Sequence, residues 1–109
     1  MEKTVEREAV RQWVWDRREE LLADLEMLVE IPSVSEPDSP VKPYGPECRR
    51  AADAFLKMGE AYGLFGRNCD YHAASLSVRP DAENETRIGI WTHLDVVAEG
   101  MTGGIRPLK

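Results

Sequence analysis

The stretch IGIWTHLDVVAEG, residues 88–100, combines a run of apolar side chains with two polar ones, His93 and Asp95. Its apolar residues stand at both odd and even positions. Because successive side chains of a strand point to opposite faces, both faces of a strand here would be apolar. Such strands lie inside sheets that helices cover on both sides. The stretch therefore predicts an interior strand over residues 86–97.

Few other segments of the 109 residues can flank this strand. The alternation near Ala73–Arg79 predicts one neighbour, and the polar segment DAENE, residues 81–85, predicts a turn between the two. The two strands are expected to form a hairpin or to lie side by side. A sheet of this size would be incomplete, so we expect further sequence or a partner chain to cover it, as at the start of a larger α/β domain.

Helical patterns precede the strands. Apolar residues recur at helical spacing over Val5–Val29 and predict one long amphipathic helix, frayed or bent near the charged cluster Asp16–Glu20. Ile31-Pro32 is expected to end this helix, and four further prolines, at positions 37, 40, 43 and 46, predict a long loop. A second helix is expected to begin at Pro46 and to end at Gly63. The predicted fold class is α/β: a long N-terminal helix, a second helix, then strands of an incomplete mixed sheet.

Composition excludes some classes of partner. A net charge of −6 and a pI near 4.9 argue against nucleic acid, whose phosphates would repel the chain. No apolar run approaches the roughly 18 residues of a membrane span, and the N-terminus has no secretory h-region. Cys48 and Cys69 stand alone, which favours two free thiols. We therefore expect a cytoplasmic protein with no nucleic-acid or membrane partner.

His93 and Asp95 would project from the same face of the predicted strand, near its C-terminal end. An imidazole there can ligate a metal while a carboxylate orients it. The alternative is a histidine with a local hydrogen bond, beside an aspartate that caps a turn. The spacing alone leaves both interpretations open.

The wider sequence resembles a known family. HLDVV, followed by Ala98, Glu99 and Gly100, is similar to the H-x-D-V-V-P-x-G signature of the co-catalytic zinc metallopeptidases, which include PepV-type dipeptidases, carnosinases and acetylornithine deacetylases. Three further segments match in the right order: LLADLEMLVEIPSVSEP (21–37), YGPECRRAADAFLKMGEAYGL (44–64) and NCDYHAASLSV (68–78). The resemblance implies that residues 1–100 are the N-terminal part of a zinc-peptidase catalytic domain.

The resemblance also implies a chemistry. His93 would be a metal ligand of one of two zinc ions, and Asp95 would be the accompanying acidic residue of the catalytic site, which positions the site and is not itself a ligand. Family members hydrolyse amide bonds with a water shared by the zinc pair, and the PepV-type members cleave dipeptides. Two positions depart from the pattern, since Ala98 replaces the usual proline and Thr92 the usual glycine.

The remaining family ligands and the general-base glutamate would follow residue 100, where the chain instead has MTGGIRPLK. Plausible codons for this tail, shifted by one base, encode DDWRHPPLE, which resembles the family continuation. Our hypothesis is therefore that residues 101–109 are a non-family tail produced by a frameshift; a sequencing error, a gene fragment and a deliberately cut domain are the alternatives. With one zinc ligand present, the 109-residue chain is expected to be inactive alone.

Two other functions remain open at the level of sequence. The apolar strand would suit a non-catalytic interaction module that completes its sheet with a partner or with a second copy. His93 could also serve a small metal-binding protein together with His72 or Cys69. Asp70-x-His72 repeats the His93-x-Asp95 spacing in reverse.

Overall fold

A computed structural model describes residues 6–80 and 88–98 of the chain. These residues form three helices and one two-stranded antiparallel sheet, so the fold is mixed α/β. The chain divides into two compact units, one up to Glu30 and one from Ile31 onward. In the described residues no helix is both long and apolar enough to cross a membrane. The predicted turn at 81–85 and the predicted tail at 101–109 lie outside the described residues.

The first unit contains two helices, α1 (Arg7–Asp16) and α2 (Arg18–Val29). Arg17 interrupts them with φ −109° and ψ 15°, so the predicted bend in the charged cluster is confirmed as a break. The Arg17 guanidinium donates to the carbonyl of Trp13, and that of Arg18 donates to the carbonyl of Trp15. These side chains satisfy carbonyls that the break deprives of helical partners, and each guanidinium also stacks on the indole of the same tryptophan.

The second unit begins with the predicted proline-rich loop. The backbone N–H of Glu36 donates to the carbonyl of Tyr44 at 2.7 Å, and that of Gly45 donates to the carbonyl of Val41 at 2.8 Å. These bonds close the loop on itself just before the next helix. Gly45 has φ +99°, a conformation that favours glycine, and its position lies against the side chain of Glu36.

Helix α3 (Pro46–Ala61) matches the predicted second helix. Proline occupies its first turn, where a missing N–H costs nothing, and Gly63 follows its end with φ +83°. Its buried face consists of small residues, Ala51, Ala52 and Gly59. This face packs against the sheet, where Gly59 leaves room for the side chain of Leu76.

The sheet pairs β1 (Phe65–Cys69) with β2 (Ala73–Ser77), with Phe65 opposite Ser77 and Cys69 opposite Ala73. Strand β2 lies within the predicted strand, although it ends at Ser77. Strand β1 was not expected. Asp70 and Tyr71 form the turn between the strands with φ of 52° and 61°. That turn lacks the Asn-Gly signal of tight hairpins, and for this reason the sequence pattern conceals it.

The predicted interior strand is wrong for the described residues 88–98. Only Val96 takes part in β pairing, through a single parallel bridge to Val34. The apolar side chains of Ile88, Ile90 and Trp91 are each more than 90% exposed. A strand needs a neighbouring strand for its backbone hydrogen bonds, and in the described residues this segment pairs only at Val96, with Val34. The described sheet is therefore antiparallel, and the predicted mixed sheet is not formed.

Candidate functional site

The segment that carries His93 and Asp95 crosses the start of the proline-rich loop at Ser33. The Ser33 hydroxyl donates to the carbonyl of Leu94 at 2.8 Å, and the backbone N–H of Val96 donates to the carbonyl of Ser33 at 3.0 Å. Ser33 is only 1% exposed, so its own hydroxyl and carbonyl are shielded from water. One buried residue thus fixes the backbone on both sides of Asp95.

His93 turns its ring toward Asp95. Its Nδ1 lies 3.0 Å from the backbone carbonyl oxygen of Asp95 and 3.2 Å from carboxylate Oδ1. Both partners are hydrogen-bond acceptors only, so Nδ1 must carry the proton. In the neutral imidazole this leaves the lone pair on Nε2, the arrangement that metal-ligating histidines adopt when a carboxylate orients them.

Cys48, near the start of α3, joins the same crossing. Its thiol donates to the carbonyl of Ser33, with 3.4 Å between Sγ and the oxygen. Burial raises the pKa of the Cys48 thiol, and the negative charges of Asp95 and Glu36 raise it further. A thiol kept protonated is a hydrogen-bond donor and a poor metal ligand. Cys48 therefore supports the crossing without supplying a nucleophile.

The fit to zinc is partial. Among the described residues no group of three or more histidine, cysteine, aspartate and glutamate side chains is arranged to hold a metal ion. A catalytic zinc takes three protein ligands and a water, and a zinc pair takes more. The described residues therefore fit one ligand, His93 with its orienting Asp95, and do not form a zinc centre.

The other candidate ligands lie on the hairpin. Cys69 is exposed at the end of β1. His72 is exposed in the turn, with its ring edge-to-face against Tyr44 at 5.9 Å between centroids. Beside it the Tyr71 hydroxyl donates to Asp53 at 2.9 Å, and the guanidinium of Arg49 lies 4.2 Å from the centre of the Tyr71 ring. The contacts of Tyr71 attach the turn to the first half of α3, and that of His72 attaches it to the loop before α3.

Comparison of the chain with models of protein families, with curated proteins and with solved structures finds no match. Function is therefore inferred from the residues and their geometry. The sequence pattern identified His93 and Asp95 as a pair, and the structure brings their side chains into contact. The sequence pattern did not identify Ser33, which lies 61 residues from its hydrogen-bond partner Leu94. The only available signal was that Ser33 belongs to the segment IPSVS.

Proposed function

We propose that the chain is the N-terminal part of the catalytic domain of a two-zinc dipeptidase. In this role His93 ligates one zinc ion through Nε2, and Asp95 orients the imidazole through Nδ1. The implied reaction is hydrolysis of a dipeptide amide by a water that the zinc pair activates. We place it in the cytoplasm, since Cys48 and Cys69 are both free thiols.

One observation carries this proposal: the Nδ1 atom of His93 meets two acceptor oxygens of Asp95. The backbone contact alone would fit a histidine with a local hydrogen bond, whereas the second contact, with carboxylate Oδ1, is the one that an aspartate orienting a metal ligand makes. Donation from Nδ1 to a carboxylate also fixes the ring for a metal on the other side. The ring is exposed enough to accept one, since 81% of the His93 side chain faces solvent.

A second observation supports the family interpretation. The segments IPSVS and HLDVV, both matched to the zinc metallopeptidases by resemblance, meet through Ser33. Two motifs distant in sequence are thus neighbours in space. This is the arrangement expected when a loop supports a ligand-bearing segment.

Cobalt titration of the 109-residue chain tests the ligand role. Co²⁺ accepts imidazole ligands as zinc does, and its paramagnetism broadens nearby NMR signals. We expect the imidazole signals of His93 to broaden at a cobalt concentration about tenfold or more below that needed for His72, because outer carboxylates are worth roughly 10–100-fold in metal affinity. Asp95→Asn should remove this difference, whereas Asp70→Asn, the matched change beside His72, should preserve it.

The same titration can contradict the proposal. Equal broadening of His72 and His93 in the unmodified chain would leave His93 as an ordinary surface histidine. Joint broadening of His72 and the signals of Cys69, before His93, would favour a small metal-binding protein centred on the hairpin.

The exposed apolar side chains favour a second candidate function, self-association. Ile88, Ile90 and Trp91 are almost fully exposed on a segment whose neighbours in the described residues leave its backbone largely unpaired. A second copy of the chain could add its own segment edge to edge and bury these side chains. In this role the chain would be a non-catalytic interaction module.

Sedimentation measurements over a range of concentrations test self-association. The chain should show a mass that rises with concentration, and Trp91→Lys should reduce the rise, because a buried lysine would lose its hydration. Val78→Lys is the matched control, because Val78 is likewise a highly exposed apolar residue (80%) but lies after the hairpin, outside the segment that would associate. A monomeric mass at all concentrations, or an equal effect of both lysines, would exclude this candidate.

A further inference from the structure

The strongest unassigned feature of the second unit is the buried polar side chain of Ser33. A buried hydroxyl destabilises the folded chain unless it forms a hydrogen bond. A buried serine is favoured over an apolar residue only where that hydrogen bond does something an apolar side chain could not. The Ser33 hydroxyl donates to the carbonyl of Leu94, the residue between His93 and Asp95. We propose that Ser33 is a positioning residue, which sets the orientation of the His93 imidazole through the backbone of Leu94 and Val96.

The geometry explains how this positioning acts. The Ser33 hydroxyl fixes the carbonyl of Leu94, and the Ser33 carbonyl fixes the N–H of Val96. Asp95 stands between these two anchored groups, so its own carbonyl has a defined direction and its side chain starts from a fixed backbone position. Both are the oxygens that Nδ1 of His93 contacts. Ser33 thereby selects the ring nitrogen that carries the proton, although it does not touch His93.

Cys48 strengthens the arrangement from the other side. Its thiol donates to the same carbonyl of Ser33 that accepts from Val96. The carbonyl oxygen has two lone pairs, so it can accept both bonds. Helix α3, the loop and the segment that carries His93 are therefore joined at one residue.

The catalytic meaning of this positioning rests on the proposed function, but the positioning itself can be measured without metal. The populations of the two neutral imidazole tautomers are read from ¹⁵N chemical shifts of His93. In the unmodified chain the Nδ1–H tautomer should predominate. Ser33→Ala should abolish that predominance, whereas Ser33→Thr, which keeps the hydroxyl, should restore it. Ser35→Ala is the matched control, because Ser35 lies two residues away and its side chain is exposed; this change should leave the tautomer ratio of His93 unaltered.

A second readout separates positioning from loss of the fold. Amide hydrogen exchange in α3 should be unchanged in Ser33→Ala if the variant folds. If amide exchange is faster throughout α3 in Ser33→Ala, the Ser33→Cys variant is used instead. Cysteine fills nearly the same volume as serine, and its S–H is a weaker hydrogen-bond donor than the serine O–H. The Cys variant should then show a tautomer ratio between those of the unmodified chain and of Asp95→Ala.

The outcomes are decisive in both directions. A folded Ser33→Ala or Ser33→Cys variant with the tautomer ratio of the unmodified chain would overturn the positioning role, as would a Thr variant that fails to restore it. A tautomer change in Ser33→Ala together with no preference of cobalt for His93 would leave the positioning intact and refute the proposed function. An unchanged tautomer ratio in folded Ser33→Ala, together with a preference of cobalt for His93, would refute the positioning role and leave the proposed function standing.

Discussion

At the scale of single residues, Tyr71 joins the hairpin turn to α3. Its hydroxyl donates to Asp53, its backbone N–H donates to the side-chain oxygen of Asn68, and Arg49 stacks on its ring. The hydrogen bond to Asp53 is the largest cause that raises the pKa of the Tyr71 phenol above its ordinary value. The bond stabilises the protonated phenol, because a phenolate beside a carboxylate would be repelled.

Replacement of Asp53 should therefore lower the pKa of Tyr71. We expect Asp53→Asn to shift the phenol titration, followed by NMR, to lower pH, with Asp70→Asn in the same turn as a control without effect. Since the folded-state pKa is raised, the contribution to stability is complete below the unfolded pKa and is lost as pH rises through the folded pKa. A Tyr71 titration unchanged by Asp53→Asn would show that the hydrogen bond does not form in solution.

The two cysteines should differ in reactivity. The thiolate is the reactive form, and the pKa of Cys48 is raised by burial and by the charges of Asp95 and Glu36. Cys69 is exposed. Alkylation, measured at each site by mass spectrometry near neutral pH, should be slower at Cys48 than at Cys69, because a raised pKa lowers the fraction of thiolate. Equal rates in the folded chain, matching those in denaturant, would contradict the buried crossing at Ser33.

At the scale of elements, the contact between α3 and the sheet depends on Gly59. A Cβ atom at this position would overlap the side chain of Leu76. Alanine is favoured over glycine in a helix interior by about 1 kcal/mol, whereas overpacking costs about 1–3 kcal/mol. We expect Gly59→Ala to lower the free energy of unfolding, measured with denaturant, by about 1 kcal/mol.

A double-mutant cycle provides the control for this contact. In a Leu76→Ala background the overlap is gone, so the same Gly59→Ala change should raise the free energy of unfolding by up to about 1 kcal/mol. An equal effect of Gly59→Ala in both backgrounds would mean that helix α3 does not pack on β2 as described.

Local signals explain how far the sequence predicts these elements. The break at Arg17, the loop and α3 follow from charge, proline and glycine, which act on the chain within a few residues. Strand β1 was missed because Asp70 and Tyr71 form its turn without glycine. The interior strand was predicted from apolar content, but a strand depends on partners elsewhere in the chain, and the described residues supply only Val34.

In the candidate site, too, local features are predictable from the sequence and contacts between distant residues are not. The spacing of His93 and Asp95 is local, so the sequence predicts that the two belong together. Ser33 acts on them from 61 residues away, and no local pattern states that a serine in a proline-rich loop will be buried against Leu94. Tertiary contacts of this kind require the structure.

At the scale of the whole molecule, the proposed function predicts that the 109-residue polypeptide does not hydrolyse dipeptides. In the described residues no group of three or more candidate ligands is arranged to hold a metal ion, and a catalytic zinc takes three. Assays of dipeptide hydrolysis with added zinc should give the rate of the buffer, identical for the unmodified chain and for His93→Ala. A zinc-dependent rate that His93→Ala abolishes would show that this polypeptide assembles a complete centre by itself.

The most direct test of the central claim, that residues 1–100 begin a two-zinc dipeptidase domain, is the nucleotide sequence of the gene beyond codon 109. Under the proposed function, we predict that the downstream sequence, in this or a neighbouring reading frame, encodes the remaining zinc ligands and the general-base glutamate. If none of the three frames encodes these ligands, the claim is contradicted.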